Sequence, residues 1–153
     1  MAFDPRTHAS PHFAWTEFAC RDYFHSPYPV DWRESRGRPL AEALEAIRTR
    51  CGQIAGVEVP LRLNSVYRTL EWNRICQGKK ASKHLEGIAA DILCPFALSY
   101  DDFRQAILDV AHEASSRLRY IQFYPHQGFV HVDIRDTRAL VIQEFTPPKD
   151  RAT

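Results

Sequence analysis

Residues 118–145 read LRYIQFY PHQG FVHVDI RDTRA LVIQEF, and this stretch decides the fold. Three runs rich in β-branched and aromatic residues, Leu118 to Tyr124, Phe129 to Ile134 and Leu140 to Phe145, are strand candidates. Short turns at His126 to Gly128 and Asp136 to Arg138 join them, so hairpin-linked antiparallel strands are expected. In the middle run the alternation puts His131 and Asp133 on one face and Val130, Val132 and Ile134 on the other. An apolar face backed by a core and a polar face carrying a His and an Asp is the pattern of a strand that builds a site.

Upstream, the pattern turns helical. Leu40, Ala43, Leu44, Ile47 and Cys51 recur at helical spacing, with Pro39 suited to a first turn and Gly52 to the C-terminal end. Val59 to Val66 alternates like a strand, and Leu70 to Gln77 forms a short helix closed by Gly78. Ile88 to Leu93 reads as a buried strand stopped by Pro95. Ser99 with Asp102 starts a helix carrying Phe103, Ile107, Val110, Ala111 and Ala114. Helices first and strands last predict an α+β domain with a mainly antiparallel sheet, helices packed on it, and a site in a cleft on the sheet. No repeat or linker divides residues 1–153, so one domain is expected, with 1–12 and 146–153 as flexible ends.

Composition narrows the function classes. The chain has 153 residues, 44% of them apolar, and Lys plus Arg total 20 against 19 for Asp plus Glu. A net charge of +1 supplies no global field for nucleic acid or anionic lipid, and the pair Lys79-Lys80 reads as a solvated loop. No stretch approaches membrane-spanning length, and Met1 to Pro11 has no apolar run of the secretory kind, so cytoplasmic synthesis is expected. Cys20, Cys51, Cys76 and Cys94 form no C-x-x-C pair and are read as free buried thiols.

The chemistry is concentrated in two segments. In Ser82-Lys83-His84-Leu85-Glu86-Gly87-Ile88-Ala89-Ala90-Asp91, a His and an Asp stand seven residues apart, and the Asp lies on an otherwise apolar strand. A carboxylate there needs a partner, and a metal ion would offset its burial. If the strand of His131 lies beside that of Asp91, then His84, Asp91 and His131 make a set of two imidazoles and one carboxylate. Three ligands leave a fourth position open, as in catalytic zinc sites. The spacing alone leaves this reading level with a pair of hydrogen-bonded buried groups. His8, His12, His25 and His112 are read as structural.

The string S-x-H-x-x-G-x-A-x-D at Ser82, His84, Gly87, Ala89 and Asp91, followed about forty residues later by F-V-H-V-D, resembles the D-alanyl-D-alanine carboxypeptidase family of zinc peptidases, peptidase family M15. The likeness is to its short, single-domain branch. Asn64-Ser65-Val66-Tyr67-Arg68-Thr69 with Asn73 is similar to that family's S-G-Y-R-S-x-x-x-N segment, and Phe13 to Cys20 is similar to its opening stretch. The resemblance implies a hedgehog/D-Ala-D-Ala peptidase-like fold, zinc on His84, Asp91 and His131, and Arg68 in the substrate cleft. An arginine there suits a peptide carboxylate or a polarised carbonyl oxygen. Tyr67 and Ser82 are candidate substrate contacts, although either hydroxyl could cap a loop.

Departures from the family pattern matter. Val66 replaces a Gly, Thr69 a Ser, and Lys83 a common Gln; Gly128 stands three positions before His131, where several relatives carry an acid. Asp133 is therefore the preferred general base or orienter of a ligand imidazole, with Glu86 and His126 as alternatives and a plain pairing with Arg135 as the bland reading. The implied activity is zinc-dependent hydrolysis of an amide bond in peptidoglycan stem or cross-link peptides, as carboxypeptidase or endopeptidase. An endolysin-like or phage-tail or injection-system enzyme, delivered to the wall, is preferred. The competing expectation is a non-catalytic zinc-fold module with a binding or structural part in such an assembly.

Overall fold

The computed structural model describes residues 3–149. In chain order the elements are β1 (His8–Ser10), β2 (Phe13–Ala14), the single helical turn α1 (Trp15–Phe18), α2 (Arg38–Ala55), β3 (Leu63–Ser65), α3 (Leu70–Ile75), β4 (Ala89–Leu93), α4 (Tyr100–Ala111), β5 (Tyr120–Tyr124), β6 (Phe129–Asp133) and β7 (Val141–Glu144). The fold is α+β. One sheet is the small pair β1-β2; the other has five strands in the order β3-β4-β6-β5-β7.

The large sheet is mixed, which corrects the expectation of a mainly antiparallel one. β3, β4, β6 and β5 pair antiparallel with their neighbours, but β7 runs parallel to β5. Both edges of β6 are already taken, by β4 and β5. The turn after β6 still reverses the chain, as its sequence predicts, but the returning strand finds a free edge only one strand further out. A strand antiparallel to β6 placed there is necessarily parallel to β5.

Other boundaries shift for local reasons. Only Leu63–Ser65 of the expected strand Val59 to Val66 pairs, because Pro60 has no N–H for a ladder and the pairing with β4 is irregular between Leu63 and Ser65. α2 runs past Gly52 to Ala55 and is capped at Gly56, since Ile54 and Ala55 continue the stripe packed on the core. Ser99 caps α4 as its sequence predicts, its side chain accepting from the Asp102 N–H at 3.1 Å.

One face of the sheet is the wall of the core. Ala90, Ile92, Ile121, Phe123, Val130 and Val132 all point there and are at most 1% exposed. They pack against Leu40, Leu44 and Ile47 of α2 and Phe103, Ile107 and Val110 of α4. Burying each large side chain fully contributes about 1.5–3 kcal/mol. The period-two alternation then forces Asp91, His131 and Asp133 onto the other face, away from these helices.

The front of the chain makes a second, aromatic seat. Trp15, Phe18 and Tyr28 pack ring against ring at 5.6–5.7 Å, and Tyr67 and Trp32 join them edge-on. The buried Tyr28 hydroxyl donates to the Gly87 carbonyl at 2.7 Å, tying this cluster to the loop that carries His84. Part of the expected flexible end 1–12 is packed: Ala9 and Ser10 are buried, and the Trp15 indole N–H donates to the Pro5 carbonyl at 3.0 Å. Met1, Ala2 and residues 150–153 of the expected flexible ends lie outside the described residues; 146–149 have no regular structure and are exposed. No described helix is long and apolar enough to cross a membrane. The four thiols are unpaired, but Cys76 is exposed and Cys94 half-buried, so only Cys20 and Cys51 are buried as expected.

Candidate metal centre

β4 and β6 lie side by side with Asp91 directly opposite His131. His84 arrives from a short 3₁₀ turn, Lys83–Glu86, that runs into β4. The Ser82 hydroxyl caps the turn by accepting from the His84 N–H at 3.3 Å, and the Arg68 N–H donates to the His84 carbonyl at 3.1 Å. His84 is thus fixed at both its backbone polar groups, and it is only 2% exposed.

The side chains converge. His84 Nε2 lies 3.2 Å and His131 Nδ1 3.0 Å from the same oxygen, Asp91 Oδ1. The two imidazole rings meet edge-on at 5.1 Å. One candidate ligand atom from each of His84, Asp91 and His131 falls within 4.8 Å of the others, and among the described residues this is the one such group.

The outer nitrogens decide what the inner ones can do. His84 Nδ1 sits 2.7 Å from the Val66 carbonyl, which can only accept, so Nδ1 carries the proton and donates. Burial lowers the His84 pKa, although the bonds and charge of Asp91 oppose it, so the ring is neutral and Nε2 offers a lone pair. A lone pair facing a carboxylate oxygen at 3.2 Å is unfavourable unless a cation lies between them. His131 repeats the arrangement on the other side, its Nε2 donating to Asp133 Oδ2 at 2.9 Å and its Nδ1 turned to Asp91. Burial lowers the His131 pKa, but the bonds and charges of Asp133 and Asp91 outweigh it and raise it, so an arriving ion would displace a proton from Nδ1. Two imidazole nitrogens and a carboxylate, with outward N–H groups held by acceptors, then form a donor set that fits zinc.

Charge around the cluster is uneven. Burial would raise the Asp91 carboxyl, but inward protons or positive charge on His131 and His84 outweigh it and hold the group well below the usual carboxylate range, a part that a bound cation would take over. Arg68 lies on the other side of the carboxylate: its Nη2 approaches Asp91 Oδ2 at 3.4 Å, its Nε donates to Ser65 Oγ at 3.0 Å, and its Nη1 donates to Asn73 Oδ1 at 3.3 Å. Three acceptors orient one guanidinium at the rim of the site. Asp133 is fully buried and holds Arg135 by a two-pronged bond, Nε to Oδ1 at 2.7 Å and Nη2 to Oδ2 at 2.6 Å, besides accepting from His131. Burial raises its carboxyl, yet Arg135 and His131 together hold it low.

The remaining candidates lie outside the converging set. Ser82 caps the His84 turn. Tyr67 packs edge-on against Tyr28 and Trp32, beside Arg68 in the chain. Glu86, at the end of the His84 turn, is engaged by Lys83 at 2.7 Å. His126 is exposed on the β5-β6 turn, with no hydrogen bond among the described residues. Gly128 closes that turn at φ 72°, a left-handed position that a carboxylate-bearing residue adopts only with strain. Four supports were not read from the sequence: the Val66 carbonyl, Ser65 and Asn73 as partners of His84 and Arg68, and Tyr120, whose ring stands edge-on to His131 at 5.7 Å. Tyr120 was findable, since β5 alternates and Tyr120 lies opposite Asp133; the carbonyl leaves no sequence signal.

A family model described as Peptidase M15 matches residues 11–133, which span all three candidate ligands. The chain belongs to this peptidase family. No curated protein matches the chain.

Proposed function

From membership of the peptidase M15 family we propose that this chain is a zinc-dependent hydrolase of amide bonds in peptidoglycan stem or cross-link peptides. One observation carries the reading: the inner nitrogens of His84 and His131 and a carboxylate oxygen of Asp91 face one point, while every outward N–H of the two rings has its acceptor.

His84, Asp91 and His131 would hold the ion. Zinc, when bound, supplies Lewis-acid polarisation of a carbonyl and activates water near neutral pH. The protein's own part is orientation. The Val66 carbonyl and Asp133 fix the tautomer and tilt of the two imidazoles. Arg68 keeps a permanent positive charge beside Asp91, placed to take a substrate carboxylate or the oxygen of the amide under attack. Ser82 holds the His84 turn, and Tyr67, next to Arg68 in the chain, is the candidate for a further substrate contact. Asp133 acts through His131: both its oxygens are engaged and it is closed to solvent, so its part is to orient the ring and balance Arg135.

Digestion of purified peptidoglycan with the zinc-loaded chain, followed by mass analysis, tests the proposal. New amine and carboxyl ends at one peptide bond are expected, with loss of both zinc and turnover in His84→Ala. Full turnover in a zinc-free preparation would overturn it. An endolysin-like or delivered tail or injection-system enzyme is the setting we favour.

A second reading keeps the fold and the ion without turnover, as a binding or structural module. Gly128 favours it, because the position of the acid seen in several relatives is here a left-handed glycine. Intact peptidoglycan after prolonged incubation with zinc-loaded protein would select this reading.

A further inference from the structure

At the end of the sheet where β6 finishes and β5 begins lies a cavity of about 690 Å³, within the size range of ligand sites. Its charged lining is Lys83, Arg117, Arg119 and Arg135 against Glu86 and Asp136. Two of these residues join it to the metal centre. Lys83 precedes His84 on the 3₁₀ turn, and Arg135 grips Asp133, which holds His131.

The four cations are not equally occupied. Lys83 is engaged by Glu86 at 2.7 Å and Arg135 by Asp133. Arg119 bonds through Nη1 to the carbonyls of Ser116 and Leu118 and has no acidic partner among the described residues. Arg117 makes no hydrogen bond or ion pair with any described side chain. Two guanidiniums with no acidic partner among the described residues, and that of Arg135 with no bond at its Nη1 among them, form a planar-donor surface suited to a carboxylate.

We propose that this basin is a subsite for a carboxylate of the substrate peptide. The inference rests on the cell-wall peptide reading above, and it narrows that reading to acidic stem peptides. A stem peptide bearing a free α-carboxylate on its γ-linked glutamate is the matching class; the same peptide with that group amidated loses the charge the basin recognises.

The test uses the full zinc-loaded chain and two synthetic probes, L-alanyl-γ-D-glutamyl-L-lysyl-D-alanine with the glutamyl α-carboxylate free, and the same tetrapeptide amidated there. Binding is read by calorimetry, or as KM where the peptide is turned over, and products are read separately by mass spectrometry. The free form is expected to bind about ten-fold tighter, the scale of one charge-assisted hydrogen bond. Arg117→Glu should abolish the preference and Arg119→Gln should reduce it, with Tm and zinc content checked in both. Equal binding of the two forms, no binding of either, or a preference that survives both substitutions would overturn the subsite. If neither peptide is cut while the preference persists, the subsite stands, and the digestion of purified peptidoglycan decides the hydrolase reading separately.

Discussion

His131 and Asp133, two residues apart on β6, are joined side chain to side chain, Nε2 to Oδ2 at 2.9 Å, with the carboxylate wholly out of solvent. The alternation of a strand puts both on one face, and the bond fixes which nitrogen of His131 is left for an ion. Removing the carboxylate should therefore act on metal affinity before it acts on fold. Asp133→Ala is expected to weaken zinc binding about 10- to 100-fold, the usual effect of losing a partner behind a ligand imidazole. Competition against a chelator measures it. Arg135→Ala is the comparison: were it to weaken zinc as much as Asp133→Ala does, Asp133 would be only a counter-ion for Arg135.

Arg68 makes a different prediction, because its guanidinium is held by three acceptors and faces the site. Arg68→Lys keeps the charge but loses the fork. If the group stabilises charge on the amide being cut, kcat/KM should fall about 10²- to 10³-fold, the cost of losing one donor to a developing oxyanion. Zinc content should stay at one ion per chain. Loss of zinc alongside activity would instead make Arg68 a support for Asp91.

What could be read from sequence followed from side-chain period and what could not followed from the backbone. The alternation of Phe129 to Asp133 placed His131 and Asp133 together and left Val130 and Val132 for the core, and the helical stripe of Leu40, Leu44 and Ile47 named the opposing layer. His84 and Asp91 stood out because their segment moves from polar loop to apolar strand. β7 was misplaced because a reversing turn has the same sequence whether the strand lands on β6 or one position beyond; the occupancy of β6 decides it, and that is a property of the whole sheet. The Val66 carbonyl, which sets the tautomer of His84, belongs to a residue whose side chain says only that it is buried.

Gly87 ties the ligand turn to the aromatic seat, and its substitution should be felt in both. It sits at φ 70°, and a Cβ there would come within 2.8–3.0 Å of the Tyr28 ring and hydroxyl. Tyr28 is buried and braced by Trp15 and Phe18, so it has little room to yield. Gly87→Ala is expected to cost about 1–3 kcal/mol, combining left-handed strain with overpacking. Chemical denaturation measures the loss, and zinc affinity should drop with it as the His84 turn shifts. Tyr28→Phe keeps the ring and removes only the 2.7 Å bond to the Gly87 carbonyl, so its loss should be the smaller.

Glu45, on α2 and far from the ligands in the chain, gives a test of acid stability that the metal centre does not confound. Its carboxylate accepts from the Ser10 hydroxyl at 2.7 Å and from the His12 backbone N–H at 2.8 Å, and its Oε2 meets His12 Nδ1 at 2.8 Å. These bonds dock the β1-β2 pair on α2. Burial raises the carboxyl, but Ser10 and His12 together outweigh it, so the folded pKa lies below the ordinary value of 4.5. A group depressed on folding contributes stability that is fully present above its unfolded pKa and is lost as pH falls through the folded one. The wild-type Tm should thus decline from about pH 4.5 downward, partly through Glu45. Glu45→Gln keeps the shape and gives up the charge; near neutral pH it should lose about 1 kcal/mol, or about 2–4 °C in Tm at this chain length. Its Tm should also fall less steeply in acid than the wild type's. Parallel Tm-versus-pH curves for the two proteins would mean that the Ser10 and His12 bonds do not favour the ionised carboxylate.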